Sequence, residues 1–279
     1  MSMRWEGDPP PSASDITAFG WVRVIARGLA IVSLILLGLA IMLPLRVIER
    51  PLFGQARPWT PWITQAVCRL SLACLGLRFV RRGRRMQGHG AIVANHSSWL
   101  DIFVLNASDR LFFVSKAEVS AWPGIGALAR VVGTVFIARD RKEAKAQTEM
   151  FEHRLLAGQR LLFFPEGTST DGLRVLPFKT TLFAALFAEG LRETCAVQPI
   201  SVTYHAPKGC DPRTYGWWGD MGFGSHLVTT LALARQGRVD VVYHAPLNVA
   251  DMADRKALAR AAEADVRAGH GLADQTQLR

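Results

Sequence analysis

Between Gly28 and Leu45 the chain runs for eighteen residues without a charged side chain. Such a run is stable in a protein core or in the hydrocarbon of a bilayer. At about 1.5 Å per residue it is close to the minimum that spans the latter. Trp21 and Arg27 precede it and Arg46 follows it, where interface anchors belong. Leu43-Pro44-Leu45-Arg46 lacks the small residues of a cleavage site, so the run reads as an uncleaved anchor rather than a signal peptide. It either crosses the bilayer or dips in and returns with a second apolar segment, Trp59 to Val80. That segment is amphipathic, interrupted by Arg69, and suited to the interface.

Arg78-Phe79-Val80-Arg81-Arg82-Gly83-Arg84-Arg85 comes next. Read alone it is a solvated charged turn. Behind a membrane segment it gains about 1 kcal/mol per basic residue from an anionic leaflet and marks a cytoplasmic side. The formal charge of +10 favours anionic partners in general. No RNA-binding signature, zinc finger or basic heptad accompanies it, which argues against nucleic acid. Cys68, Cys74, Cys195 and Cys210 show no C-x-x-C spacing and read as reduced thiols in a cytoplasm-facing compartment.

From residue 90 short apolar runs alternate with helical patterns. The expected strands are Ala91–Ala94, Leu111–Val114, Val131–Ile137, Leu161–Phe164, Ala196–Val202 and Val239–Tyr243. The expected helices are Leu100–Ala107, Arg141–Ala157, Leu182–Arg192, Leu227–Ala234 and Met252–Ala268. Alternation of this kind predicts an α/β domain whose largely parallel sheet is flanked by helices, behind a hydrophobic anchoring segment. The expected organisation is a flexible tail over 1–20, anchoring helices over 21–80, the α/β domain over 81–250 and a C-terminal helix and tail over 251–279.

The chemistry-bearing residues cluster after the apolar runs. Asn95-His96-Ser97-Ser98-Trp99-Leu100-Asp101 follows Ala91–Ala94 and places a histidine at the carboxyl end of a buried strand, where ligand crevices form. Inside one regular helix His96 and Asp101 would point well apart. They can pair if His96 lies in the loop, Ser98 is the N-cap and Asp101 sits in the first turn. Asp101 would then orient the imidazole and leave its other nitrogen to accept a proton. Ser98-x-x-Asp101 is equally the pattern of a capping box, in which Asp101 only caps the helix. Leu161-Leu162-Phe163-Phe164-Pro165-Glu166-Gly167-Thr168 is a second strand end, with Pro165 stopping the strand, Gly167 allowing a tight turn and Glu166 available to a polar head group. Gly133-Thr134-Val135-Phe136-Ile137-Ala138-Arg139 delivers a guanidinium, a natural clamp for phosphate or carboxylate. In Val197-Gln198-Pro199-Ile200 a proline interrupts an apolar run.

In this order the segments resemble the glycerolipid acyltransferase family, with its H-x-x-x-x-D, G-x-x-F-I-x-R, F-P-E-G-T and V-x-P-I motifs. The resemblance covers Val80 to Leu247. It implies transfer of an acyl group from a thioester to the hydroxyl of a lysolipid at a bacterial inner membrane, with the catalytic domain facing the cytoplasm. It implies His96 as general base, Asp101 as its partner, and an acceptor site lined by Arg139, Glu166, Gly167 and Thr168. Lys116 matches a lysine that the family often carries after its second strand. The implied co-substrates are acyl carrier protein or coenzyme A thioesters, with no cofactor, and the implied partners include the lysolipid and anionic membrane lipid. Ser169 stands where phosphate-binding members usually carry arginine. The string Glu166 to Gly172, the stretch Val175 to Lys179, and Trp217-Trp218-Gly219-Asp220-Met221 look more like the branch that acylates lyso-ornithine lipid, with lysophosphatidate as the alternative acceptor.

Gly124-Ile125-Gly126-Ala127-Leu128-Ala129 matches a dinucleotide fingerprint, but it follows Ala121-Trp122-Pro123 rather than a strand and has no completing acidic residue. The seven histidines show no metal-ligand spacing. Gly-x-Ser-x-Gly is absent, which argues against an α/β-hydrolase.

Overall fold

A computed structural model of the chain describes residues 5–11, 15–88, 90–137 and 144–275. The uncharged run sits inside a longer helix, α1 (Ala18–Phe53), whose 36 residues extend about 54 Å. It is apolar enough to cross a membrane and leaves Phe19, Val22, Leu29, Leu36, Val47 and Leu52 exposed along its length. A short loop leads to α2 (Thr60–Leu75), which packs beside it.

Both ends of α1 are fastened to protein. Arg23 and Arg27 donate to the carbonyls of Leu231, Ala232 and Leu233 at 2.7–2.8 Å, closing the carboxyl end of α6 (Phe223–Ala232). Those carbonyls lack intrahelical donors, so a guanidinium there satisfies them and complements the helix dipole. At the other end buried Glu49 accepts the amides of Trp59 and Thr60 and the Thr60 hydroxyl, capping α2. Arg27 and Arg46, expected as lipid-interface anchors, are half-buried and bonded to protein groups, Arg46 to Glu49.

The stretch from Arg78 corrects a second expectation. Arg78–Arg82 is neither a loose charged turn nor part of an anchor but a strand, β1, paired in parallel with β7 (Arg238–Tyr243). The α/β domain therefore starts before residue 81. As an edge strand β1 carries arginines that discourage further pairing.

The sheet holds eight strands in the order β1-β7-β6-β2-β5-β3-β4, with β8 (Leu247–Asn248) beside β6. The others are β2 (Gly90–Ala94), β3 (Phe112–Lys116), β4 (Val135–Ile137), β5 (Arg160–Phe163) and β6 (Ala196–His205). All neighbours are parallel except β6–β7 and β6–β8. β2 is buried throughout. Ile92 and Ala94 face a core built with α2, α3 (Leu100–Ser108) and α6. Ala91 and Val93 face a second core built with α5 (Ala144–Leu156), the 3₁₀ turn Leu182–Phe187 and α7 (Arg255–Gln275). A strand covered on both faces must be apolar on both, which is why Ala91–Ala94 reads as a run rather than an alternation.

Two boundaries move for local reasons. Val131–Ile137 is not one strand: α4 (Ile125–Val132) ends at Gly133, whose φ of 90° only glycine adopts readily, and β4 begins two residues later. The helix expected over Leu182–Arg192 is a 3₁₀ turn that stops at Phe187, because Ala188 is extended. The tail is also not loose where it is described. Trp5 packs on Trp218 and lies under the Arg174 guanidinium, and the carbonyls of Asp8 and Pro9 accept from Trp218 and Arg213.

Candidate active site

Four adjacent parallel strands, β2, β5, β3 and β4, point their carboxyl ends to one edge. His96 follows β2, Lys116 closes β3 and Glu166 follows β5. Arg139, expected on the same edge, lies outside the described residues.

Asn95 makes the turn out of the sheet possible. The backbone ladder between β2 and β6 ends at Ala94 and Ile200. Asn95 then continues the pairing with its side chain, accepting the Val202 amide and donating to the Val202 carbonyl, each at 2.8 Å. The strand edge stays satisfied while the main chain is released to carry His96 outward.

His96 Nδ1 meets Asp101 Oδ2 at 2.8 Å. An ionised carboxylate only accepts, so Nδ1 carries the proton and Nε2 presents a lone pair. Asp101 is fully buried, and the same Oδ2 accepts the amides of Ser97 at 2.8 Å and Ser98 at 3.0 Å. Capping and pairing, set out above as alternatives, are thus performed by one oxygen. The helix begins one residue later than the Ser98 N-cap would require: Trp99 is the N-cap of α3 and makes no side-chain cap bond. The imidazole plane is fixed from one side by Phe164, stacked at a centroid distance of 4.0 Å and an interplanar angle of 12°. The His96 side chain remains 20% exposed, so Nε2 has an approach from solvent or substrate.

Glu166 does not offer its carboxylate to a ligand. It is 2% exposed, and its two oxygens accept the amides of His96 at 2.6 Å and Leu176 at 2.7 Å. Burial pushes its pKa up to about 8 against the pull of those two donors. It clamps the His96 loop to the loop after β5, a union reinforced where the His96 carbonyl accepts the Thr170 amide at 3.0 Å. Gly167 turns the chain at φ 71°, and a Cβ there would lie 2.8 Å from Lys179 Nζ. The lysine tip can move, so the backbone angle decides that residue. Thr168 is half-buried, and its hydroxyl oxygen accepts the Trp5 amide at 3.4 Å. Lys116 is half-buried at its strand end.

Tyr204 belongs to no motif, and the motifs give Trp99 and Trp217 no role. Tyr204 donates to Asp101 Oδ1 at 2.7 Å. Its phenol is held well above its ordinary pKa by burial and by the Asp101 charge. Trp217 donates its amide to the Ser97 carbonyl at 2.8 Å, and Trp99 donates its indole N–H to His226 Nδ1 at 2.8 Å. The run of apolar residues around Tyr204 hides it, because a tyrosine in a buried strand looks like core. The Arg174 guanidinium is engaged by buried Asp171 through two bonds at 3.2 and 2.8 Å.

A base with a fixed tautomer, an open Nε2 and a buried carboxylate behind it can deprotonate a hydroxyl and later return the proton. The acyltransferase family profile matches residues 75–203. A lyso-ornithine lipid O-acyltransferase from Rhodobacter capsulatus is 57% identical over 96% of this chain and 97% of its own length. A 1-acyl-sn-glycerol-3-phosphate acyltransferase from Neisseria meningitidis is 32% identical over 63% of this chain and 68% of its own length. The crystal structure of the 1-acyl-sn-glycerophosphate acyltransferase from Thermotoga maritima superposes with a TM-score of 0.67 at 18% identity, covering 93% of this chain and 97% of that one, which establishes the shared fold.

Proposed function

The chain belongs to the acyltransferase family, and from that premise we propose that it acylates the hydroxyl of lyso-ornithine lipid. The observation that carries this acceptor is the 57% identity to a lyso-ornithine lipid O-acyltransferase over nearly the full length of both chains. Ser169 supports it, since an acceptor without phosphate does not require the arginine that phosphate-binding members usually carry there.

In this reading His96 Nε2 takes the proton of the acceptor hydroxyl as its oxygen attacks the thioester carbonyl. The tetrahedral adduct collapses, the C–S bond breaks, and the imidazolium returns the proton to the departing sulfur. Asp101 stabilises the imidazolium, and no covalent acyl-enzyme forms. Lys116 steadies the oxyanion or the acceptor, and Arg139 and Thr168 line the acceptor site. The thioester brings its own activation, so no cofactor is needed. The donor is carried by acyl carrier protein or coenzyme A, and a chain of net charge +10 suits either anionic carrier. The enzyme is membrane-associated. We place it at the bacterial inner membrane with the site on the cytoplasmic side, where such thioesters are made and consumed.

Lysophosphatidate is the second reading. The Lys179 ammonium lies over Gly167 and offers a cation beside the missing arginine. The test is a paired assay on membranes containing the protein, with a labelled acyl-carrier thioester and either lysolipid as acceptor. Preference for lyso-ornithine lipid supports the proposal. Preference for lysophosphatidate overturns the acceptor, and labelling of neither overturns the reaction.

A further inference from the structure

On the edge of the sheet opposite His96, three arginines line one cavity. Gly88 precedes β2, Arg110 precedes β3, and Gly158, Gln159 and Arg160 lead into β5, so the cavity lies at the amino ends of the strands whose carboxyl ends carry the active site. Ala56, Arg57 and Pro58 of the α1–α2 loop form its other wall. Its volume is about 200 Å³. That is below the roughly 300–1,000 Å³ of sites that enclose whole small molecules, and it fits a headgroup.

The arginines are not equally committed. Arg160 is held by Asp109 at 2.8 Å and by the Gly88 and Met86 carbonyls. Asp109 is also shared with Arg85 at 2.7 Å, so it has little charge left to offer. The Arg110 guanidinium sits over the Trp62 ring, its central carbon 4.0 Å from the centroid, with no hydrogen bond from it among the described residues. Arg57 donates one amino nitrogen to the Val131 carbonyl, and its buried Nε has no partner among the described residues. Its backbone stands at φ 45°, in the region that favours glycine. Burial, with Arg46 and Arg154 nearby, pushes the Arg57 pKa down to about 10. Positive charge is therefore in excess here.

The position of the cavity indicates the source of its ligand. It opens beside the loop that joins the two apolar helices, where exposed Trp59 and Trp62 are of the ring type found at headgroup depth. We propose that this cavity binds the phosphate of an anionic membrane lipid, with Arg57 and Arg110 as ligands and Trp62 holding the Arg110 guanidinium. Guanidinium groups suit phosphate because their planar fork offers paired donors.

The test uses the purified full chain, floated with phosphatidylcholine vesicles with and without phosphatidylglycerol, beside acyl transfer in detergent. R110Q is expected to lose about fivefold of the extra affinity for the anionic vesicles, while phosphatidylcholine binding and transfer in detergent stay unchanged. Ala56→Glu, at an exposed wall position, adds a carboxylate without removing any side-chain bond and is expected to act the same way, so the proposal does not depend on how well R110Q folds. R255Q, an exposed charge on α7, controls for overall charge. Full anionic preference in both R110Q and Ala56→Glu overturns the site, as does an equal loss in R255Q. Equal Arg110-dependent binding of inorganic phosphate in the absence of vesicles, with no Arg110-dependent gain on phosphatidylglycerol vesicles at matched ionic strength, overturns the lipid as the source.

Discussion

Tyr204 donates its hydroxyl to Asp101 Oδ1 at 2.7 Å, joining the carboxyl end of strand β6 to the first turn of α3 across 103 residues of sequence. Both oxygens of the buried carboxylate are thus occupied, one by the phenol and the other by His96 and the amides of Ser97 and Ser98. Tyr204→Phe leaves a charged, buried acceptor short of one donor. We expect about 1–3 kcal/mol less stability by chemical denaturation and about a tenfold fall in kcat, with the acceptor KM unchanged.

His96→Ala removes the base and leaves the Asp101 cap in place. Transfer is expected to fall by about 10²- to 10⁴-fold with vesicle binding retained, and stability by about 1–3 kcal/mol because buried Asp101 loses its Nδ1 donor. Activity near that of the wild type would rule out His96 as the base.

Asn95→Leu removes the side-chain rungs to Val202 and strands a buried amide and carbonyl. The expected cost is about 2–4 kcal/mol, read as a shift of the denaturation midpoint. Asn95→Asp should cost at least as much, because it sets a buried carboxylate oxygen against the Val202 carbonyl.

Glu166→Ala distinguishes a clamp from a ligand contact. Because its oxygens hold the amides of His96 and Leu176, its loss should lower kcat and stability together. A rise in acceptor KM alone would mean that Glu166 touches the substrate.

His226 sets a pH limit. Burial pushes its pKa down to about 4 from 6.5, against the carbonyls of Thr214 and Gly216, and its Nδ1 must stay unprotonated to accept from Trp99. The unfolded chain binds the proton more readily, so this contribution is complete above pH 6.5 and is lost as pH falls toward 4. The stability lost at pH 5 is about 2 kcal/mol. In His226→Phe the melting temperature should depend less on pH across that window, starting from a lower value.

Much of the fold was legible because burial writes itself into composition. β2 and β5 are covered on both faces and appear as apolar runs at the expected places, while β7 faces the core with Val239, Val241 and Tyr243. α3 begins at the expected Leu100, where Asp101 in the first turn accepts the amides of Ser97 and Ser98. Less legible were β1, whose arginines mask a strand that needs only its edge pairing to β7, and the 3₁₀ turn at Leu182–Phe187, whose apolar pattern resembles a helix. The tail residues that dock on Trp218 and Arg213 carried no periodic signal at all.

His96, Asp101, Glu166 and Gly167 stand out in the sequence because each belongs to a local pattern that ends a strand or starts a helix. Their division of labour does not. Spacing could not decide whether Asp101 caps a helix or orients a histidine, because the answer depends on where one oxygen points, and it does both. Glu166 reads as a ligand contact until the backbone amides of two separate loops are seen to consume it. Tyr204, Asn95 and Phe164 came into view only with tertiary structure, since their partners lie on other strands. Sequence by itself determined which residue types stand at the strand ends, because that follows from local burial and turn chemistry. Tertiary structure decided which of them remain free to react, because a polar atom's availability depends on every other group that reaches it.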